Sequence, residues 1–167
     1  MIQKKVCMLG TFAVGKTSLV RRFVDSIYSD KYHTKVGVKI DKKVVLAGEQ
    51  EIMLMLWDIE GTQAEQELRT SYLRGASGYF LVVDGTRRET LEKAFSIRTR
   101  VEETIGTVPF LVLINKADLV QEWALNENDT REVRGQGVTV LTTSAKTGQG
   151  VEEAFQMLAK QLAGEPK

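Results

Sequence analysis

Apolar and polar positions alternate between strand-like and helix-like patterns from end to end. Ile2 to Leu9 is apolar and β-branched and runs into Gly10, after which Thr17 to Val24 opens as a helix. Val36 to Leu46 sets Val36, Val38 and Ile40 against Lys39, Lys42 and Lys43, the alternation of a half-exposed strand. Gly48 marks a turn and Glu51 to Ile59 a second strand, so the pair predicts a hairpin. Gly78 to Val83, Val108 to Ile114 and Val138 to Leu141 are short continuous apolar runs, the pattern of strands covered on both faces. Helical patterns at Glu65 to Arg74, Arg88 to Thr104 and Val151 to Leu162 lie between them. In the last, Val151, Ala154, Phe155, Leu158 and Leu162 recur at helical spacing and read as core. Alternating strands and helices with buried strands predict an α/β fold, a parallel sheet with helices on both sides. No linker, repeat or low-complexity tract interrupts the pattern, so residues 1–167 read as one domain.

Composition narrows the function. Lys plus Arg is 23 against 22 for Asp plus Glu, a net charge of +1, which speaks against nucleic acid or an acidic membrane as the main partner. Hydrophobic residues at 43% and charged ones at 27% are globular proportions. The single cysteine, Cys7, excludes an internal disulfide and reads as a buried small hydrophobe. One histidine, His33, beside one cysteine argues against a zinc enzyme. The apolar run Val108 to Ile114 is too short to span a bilayer, and no signal peptide is readable before it. The tail from Gly164 to Lys167 has no cysteine to prenylate, so the expectation is a cytoplasmic protein without a membrane anchor in this chain. Arg98, Arg100, Glu102 and Glu103 read as a solvated helix face.

The first chemical motif follows the first strand. Gly10, Thr11, Phe12, Ala13, Val14, Gly15, Lys16 and Thr17 fit G-x-x-x-x-G-K-[ST], with Ser18 continuing into a helix. Glycines let backbone N–H groups close around phosphate oxygens, and Lys16 supplies charge to the β- and γ-phosphates. The helix N-terminus adds its dipole, and Thr17 offers a hydroxyl to Mg²⁺.

Two further motifs follow later strands, at the carboxyl edge where open α/β sheets bind ligands. In Asn115, Lys116, Ala117, Asp118, the Asp118 carboxylate can accept from the N1 and N2 donors of guanine, which adenine lacks in that arrangement. Asn115 would brace the loop, and the Lys116 stem would cover a face of the base. In Thr143, Ser144, Ala145, Lys146, the Ala145 N–H can donate to guanine O6. Each motif is weak alone; their joint placement is the strong signal.

In this order, with Trp57, Asp58, Ile59, Glu60, Gly61 between them and Arg74 to Tyr79 after, the motifs resemble those of a Ras-superfamily small GTPase, Rab-like and Ras-like in flavour. The resemblance covers essentially the whole chain. It implies the P-loop NTPase (small G-protein) fold, a six-stranded sheet with one antiparallel strand, and five helices. It also implies GTP or GDP with Mg²⁺, and effector and regulator proteins that engage two switch loops. By the same resemblance Asp58 faces Mg²⁺ through water and the Gly61 N–H contacts the γ-phosphate. Tyr28 matches an aromatic laid against the guanine, its other reading being a helix-end ring packed on the core.

Three positions depart from the family pattern. The switch threonine that ligates Mg²⁺ falls on Lys35, with Thr34 one residue early as the alternative ligand. The catalytic glutamine falls on Thr62, with Gln63 one residue late and Glu60 in place of a small residue, so Thr62, Gln63 and Glu60 stand beside Lys16 as catalytic candidates. Phe12 takes a place where relatives carry glycine or another small residue, either beside the γ-phosphate or packed on a neighbouring loop. The expectation is a GTP-binding switch with slow hydrolysis. A nucleotide-holding module without turnover, and a P-loop kinase or ATPase, are the rivals.

Overall fold

In a computed structural model the described residues are 1–26, 38–59 and 70–164. Among them the chain forms strands β1 (Ile2–Leu9), β2 (Val38–Ala47), β3 (Gln50–Ile59), β4 (Gly78–Asp84), β5 (Phe110–Asn115) and β6 (Val140–Thr142). The helices are α1 (Lys16–Asp25), α2 (Thr70–Leu73), α3 (Glu89–Ile105), α4 (Glu127–Gly135) and α5 (Val151–Leu162), with a 3-10 turn at Val120–Glu122. The six strands make one sheet in the order β2-β3-β1-β4-β5-β6. β2 and β3 pair antiparallel through the Gly48 turn, and every other pairing is parallel.

Strand alternation divides the core between the two faces of the sheet. Val6 and Met8 of β1 point to one side, where Leu19 and Phe23 of α1 meet Phe155 and Leu158 of α5. Phe23 stacks on Phe155 with ring centroids 3.9 Å apart, joining the two helices over the sheet. Cys7 and Leu9 point to the other side, against Leu73 of α2, Ala94, Ile97 and Val101 of α3, and Val133 of α4. Cys7 is fully buried, as its place in β1 predicts, and burial pushes its thiol up to about 12.

Three details differ from the sequence pattern. Helix α4 is mostly polar and turns only Asp129 and Val133 inward, so it has no apolar stripe; its start is set by a capping box between Asn126 and Asp129. β5 begins at Phe110 rather than Val108, because Pro109 has no N–H to give the ladder, although its carbonyl still accepts from the Tyr79 N–H at 3.2 Å. The α3 charges are not all solvated: Arg98 is half-buried, lies 4.8 Å over the Phe110 ring and pairs with Glu102. Of the pattern Glu65 to Arg74, the described part is helical at Thr70–Leu73.

Candidate functional site

Parallel strands bring the carboxyl ends of β1, β3, β4, β5 and β6 to one edge of the sheet, and the loops that leave them carry the predicted motifs. Residues 10–15 turn from β1 into α1, which begins at Lys16. Lys16 is only 3% exposed; its ammonium donates to the carbonyls of Gly10 at 3.0 Å and Thr11 at 3.1 Å. A buried charge persists where such partners hold it. Thr17 and Ser18 follow in the first turn of α1, whose leading N–H groups have no carbonyl one turn behind them to bond within the helix. Such a helix start, with an ammonium beside it, suits phosphate. Val14 is buried and Phe12 is 53% exposed, so among the described residues Phe12 is not packed away against a neighbouring loop.

The structure adds a cause for the glycine at Gly15 beyond phosphate approach. Gly15 has φ +104°, and a Cβ there would sit 2.2 Å from the Asn115 side-chain nitrogen. The residue is small so that Asn115 can reach the loop. Ala13 adopts φ +63°, a left-handed conformation costly for a residue with a Cβ. Strain of this kind persists where surrounding contacts over-determine it.

Thr17 and Asp58 meet at the metal end. The Thr17 hydroxyl donates to Asp58 Oδ2 at 2.5 Å, while Asp58 Oδ1 is buried with no hydrogen-bond partner among the described residues. Burial pushes the Asp58 carboxyl above its usual range, against the Thr17 hydrogen bond and the Lys16 charge that pull it down. A hydroxyl and a carboxylate with an unused buried oxygen fit Mg²⁺, a hard cation that takes a few protein oxygens and completes its shell with water and phosphate.

At the base end the side chains interlock. Asn115, 2% exposed, donates from Nδ2 to the Val14 carbonyl at 3.1 Å and accepts the Thr143 hydroxyl on Oδ1 at 3.1 Å. One amide thereby joins the loops after β1, β5 and β6. Lys116, itself left-handed at φ +73°, donates to the Ala13 carbonyl at 3.0 Å. Asp118 Oδ1 accepts the Ser144 hydroxyl at 2.7 Å, which turns its carboxylate toward the loop holding Ala145 and Lys146. Arg22 of α1 donates to the Ala145 carbonyl at 2.7 Å and also to the Lys146 carbonyl.

The structure thus brings together Gly10 to Ser18, Asp58, Asn115, Lys116, Asp118 and Ser144 to Lys146. Tyr28, His33, Thr34, Lys35, Glu60, Gly61, Thr62 and Gln63 lie outside the described residues. Arg22, Asp84 and Arg87 also reach the site's loops and were missed in the sequence. For Asp84 a signal existed, a charged residue closing the apolar run of β4 at the ligand edge.

The Ras family model matches residues 5–164. Among curated relatives, the Ras-related protein Rab-24 of Dictyostelium discoideum is 31% identical over 163 residues, covering 95% of this chain and 80% of that protein. Ras-related protein Rab-13 of Mesocricetus auratus is 31% identical over 160 residues, covering 95% of this chain and 79% of its own. Ras-related protein Rab7 of Drosophila melanogaster is 32% identical over 170 residues, covering 93% of this chain and 78% of its own. With the sheet order, the loop chemistry and a match along almost its whole length, the chain belongs to the Ras family of small GTPases.

Proposed function

We propose that this chain works as a single G domain, a cytoplasmic switch that binds GTP and GDP with Mg²⁺ and hydrolyses GTP slowly. The observation that carries the reading is Asn115, whose amide ties the phosphate loop to both loops expected at the base. Lys16 and the start of α1 would hold the phosphates, Thr17 and, through water, Asp58 would hold the cation, with Thr34 as the switch ligand, and Asp118 with the Ala145 N–H would select guanine. By the family pattern Lys116 would cover a face of the base, Tyr28 would lie against it, and the Gly61 N–H would meet the terminal phosphate. The bound cation would neutralise charge on the β- and γ-phosphates. Hydrolysis in such sites is mostly positioning and charge stabilisation. Thr62 is too short to hold water as a glutamine amide does, which leaves Gln63 or Glu60 to orient it, and Phe12 adds a ring where an arginine finger would enter. Effectors and regulators would act through the switch loops.

The departures at Lys35 and Thr62 favour a second reading, a G domain that holds nucleotide without turning it over. Single-turnover phosphate release decides between them. Slow but measurable release that falls on Lys16→Ala supports the switch; GTP recovered intact after many hours supports the holding module.

A further inference from the structure

Asp84 ends β4 as a charged side chain only 1% exposed, and its carboxylate is fully used. Oδ1 accepts from the Thr86 N–H at 2.8 Å and the Thr86 hydroxyl at 2.6 Å. Oδ2 accepts from Arg87 Nε at 3.0 Å and Lys116 Nζ at 2.9 Å. Both cations reach onward to the phosphate loop, Lys116 to the Ala13 carbonyl at 3.0 Å and Arg87 Nη2 to the Phe12 carbonyl at 2.7 Å. Two consecutive carbonyls of the loop, one on the left-handed Ala13, are held by cations that share one carboxylate oxygen.

The mount that carries Arg87 is itself fixed. Gly85 lies flush against the Trp123 ring, where a Cβ would fall 2.1 Å from a ring carbon. The Gly85 N–H donates to the Asn115 carbonyl at 3.0 Å, and its own carbonyl accepts from the Ala124 N–H at 2.8 Å. The Thr90 hydroxyl donates to the Arg87 carbonyl at 2.7 Å, and Arg88 pairs with Asp129 of α4. A planar guanidinium on such a base delivers two hydrogen bonds in a fixed fork, which a lysine ammonium does not reproduce.

We infer that Arg87 is a positioning residue of the phosphate loop: through the Phe12 carbonyl it fixes the lip of the loop, with Asp84 as the anchor it shares with Lys116. The inference rests on the guanine-nucleotide reading, in which that lip faces the third phosphate. Loss of Arg87 frees the Phe12 carbonyl and leaves Lys116 on Ala13, so a triphosphate is held less well while a diphosphate is nearly unaffected. Loss of the Asp84 charge loosens both cations and weakens both nucleotides.

The test is stopped-flow release of a fluorescent non-hydrolysable GTP analogue and of fluorescent GDP from wild type, Arg87→Ala, Arg87→Lys and Asp84→Asn, each with its thermal midpoint. Arg87→Ala should speed release of the triphosphate about tenfold and of GDP less than about threefold, the loss of one charge-assisted hydrogen bond at the lip. Arg87→Lys should recover only part of this, and Asp84→Asn should speed both. Equal acceleration of both nucleotides, or none, in a wild type that binds both would overturn this inference alone. A wild type that holds neither nucleotide overturns the guanine reading and this inference with it.

Discussion

At the base end, Asn115 is bonded to Val14 and Thr143, Lys116 to Ala13, and Asp118 to Ser144 before any ligand is considered. At the phosphate end, Thr11 Oγ1 and Asp58 Oδ1 are buried without hydrogen-bond partners among the described residues. Groups of the first kind make recognition rigid, since a saturated network has one arrangement. Groups of the second kind carry an unmet cost of about 1 to 3 kcal/mol each, which at Asp58 a cation shell can relieve. The contrast teaches that one site can combine a pre-built selector with a ligand-completed clamp. The selector decides which nucleotide enters, and the clamp is completed by phosphate and metal.

Breaking the selector should give the largest effect. Asp118→Asn should move preference from guanine to xanthine nucleotides, because xanthine presents an acceptor where guanine presents a donor. Losing one partner of a buried charge-assisted pair costs about 2 to 5 kcal/mol, several powers of ten in affinity. Competition of GTP and XTP for the same sites measures it.

A paired substitution sharpens the comparison at the level of stability. Asn115→Ala strands the Val14 carbonyl and the Thr143 hydroxyl and should cost about 2 to 4 kcal/mol in urea unfolding at constant nucleotide load. Thr11→Val removes a buried hydroxyl with no partner among the described residues and should cost within about 0.5 kcal/mol, or stabilise. Equal losses would erase the distinction between the two ends.

Away from the site, Cys7 gives a pH effect whose sign is fixed. Its thiol rises from 9.0 to about 12 on folding, so the unfolded chain loses this proton first as pH increases. Stability from this group is complete below about pH 9 and falls by up to about 1.4 kcal/mol per pH unit above it. Comparison with Cys7→Val measures the effect of the thiol together with its coupling to Lys5. A modest change of opposite sign is Ala13→Gly, which relieves the left-handed φ of +63° and should raise stability by about 1 kcal/mol if Lys116 and Arg87 still hold the loop.

Legibility in the sequence followed the range of the physics involved. β4 was readable as a continuous apolar run covered on both faces, and α5 because its apolar residues recur with the helical period over Val151–Leu162. Helix α4 was not, because two inward residues make no period; only the capping pair Asn126 and Asp129 marked it. The loop motifs were visible because phosphate and guanine each demand particular residue types at short spacing. Asp84 left a signal as the charged residue closing β4, but its clamp did not, because Arg87 and Phe12 lie 75 positions apart and meet only when β1 and β4 pair. Arg98, by contrast, looked solvated because the ring it covers, Phe110, belongs to another element.

The most direct measurement is competition for fluorescent GDP on the purified chain, with GTP or ATP as competitor, in Mg²⁺ and again after chelation. A pre-built guanine selector and a metal-completed clamp predict that GTP displaces the probe, that ATP in about thousandfold excess does not, and that chelation speeds release on the order of tenfold or more. Displacement by ATP at GTP-like concentrations, or release indifferent to Mg²⁺, would contradict the account.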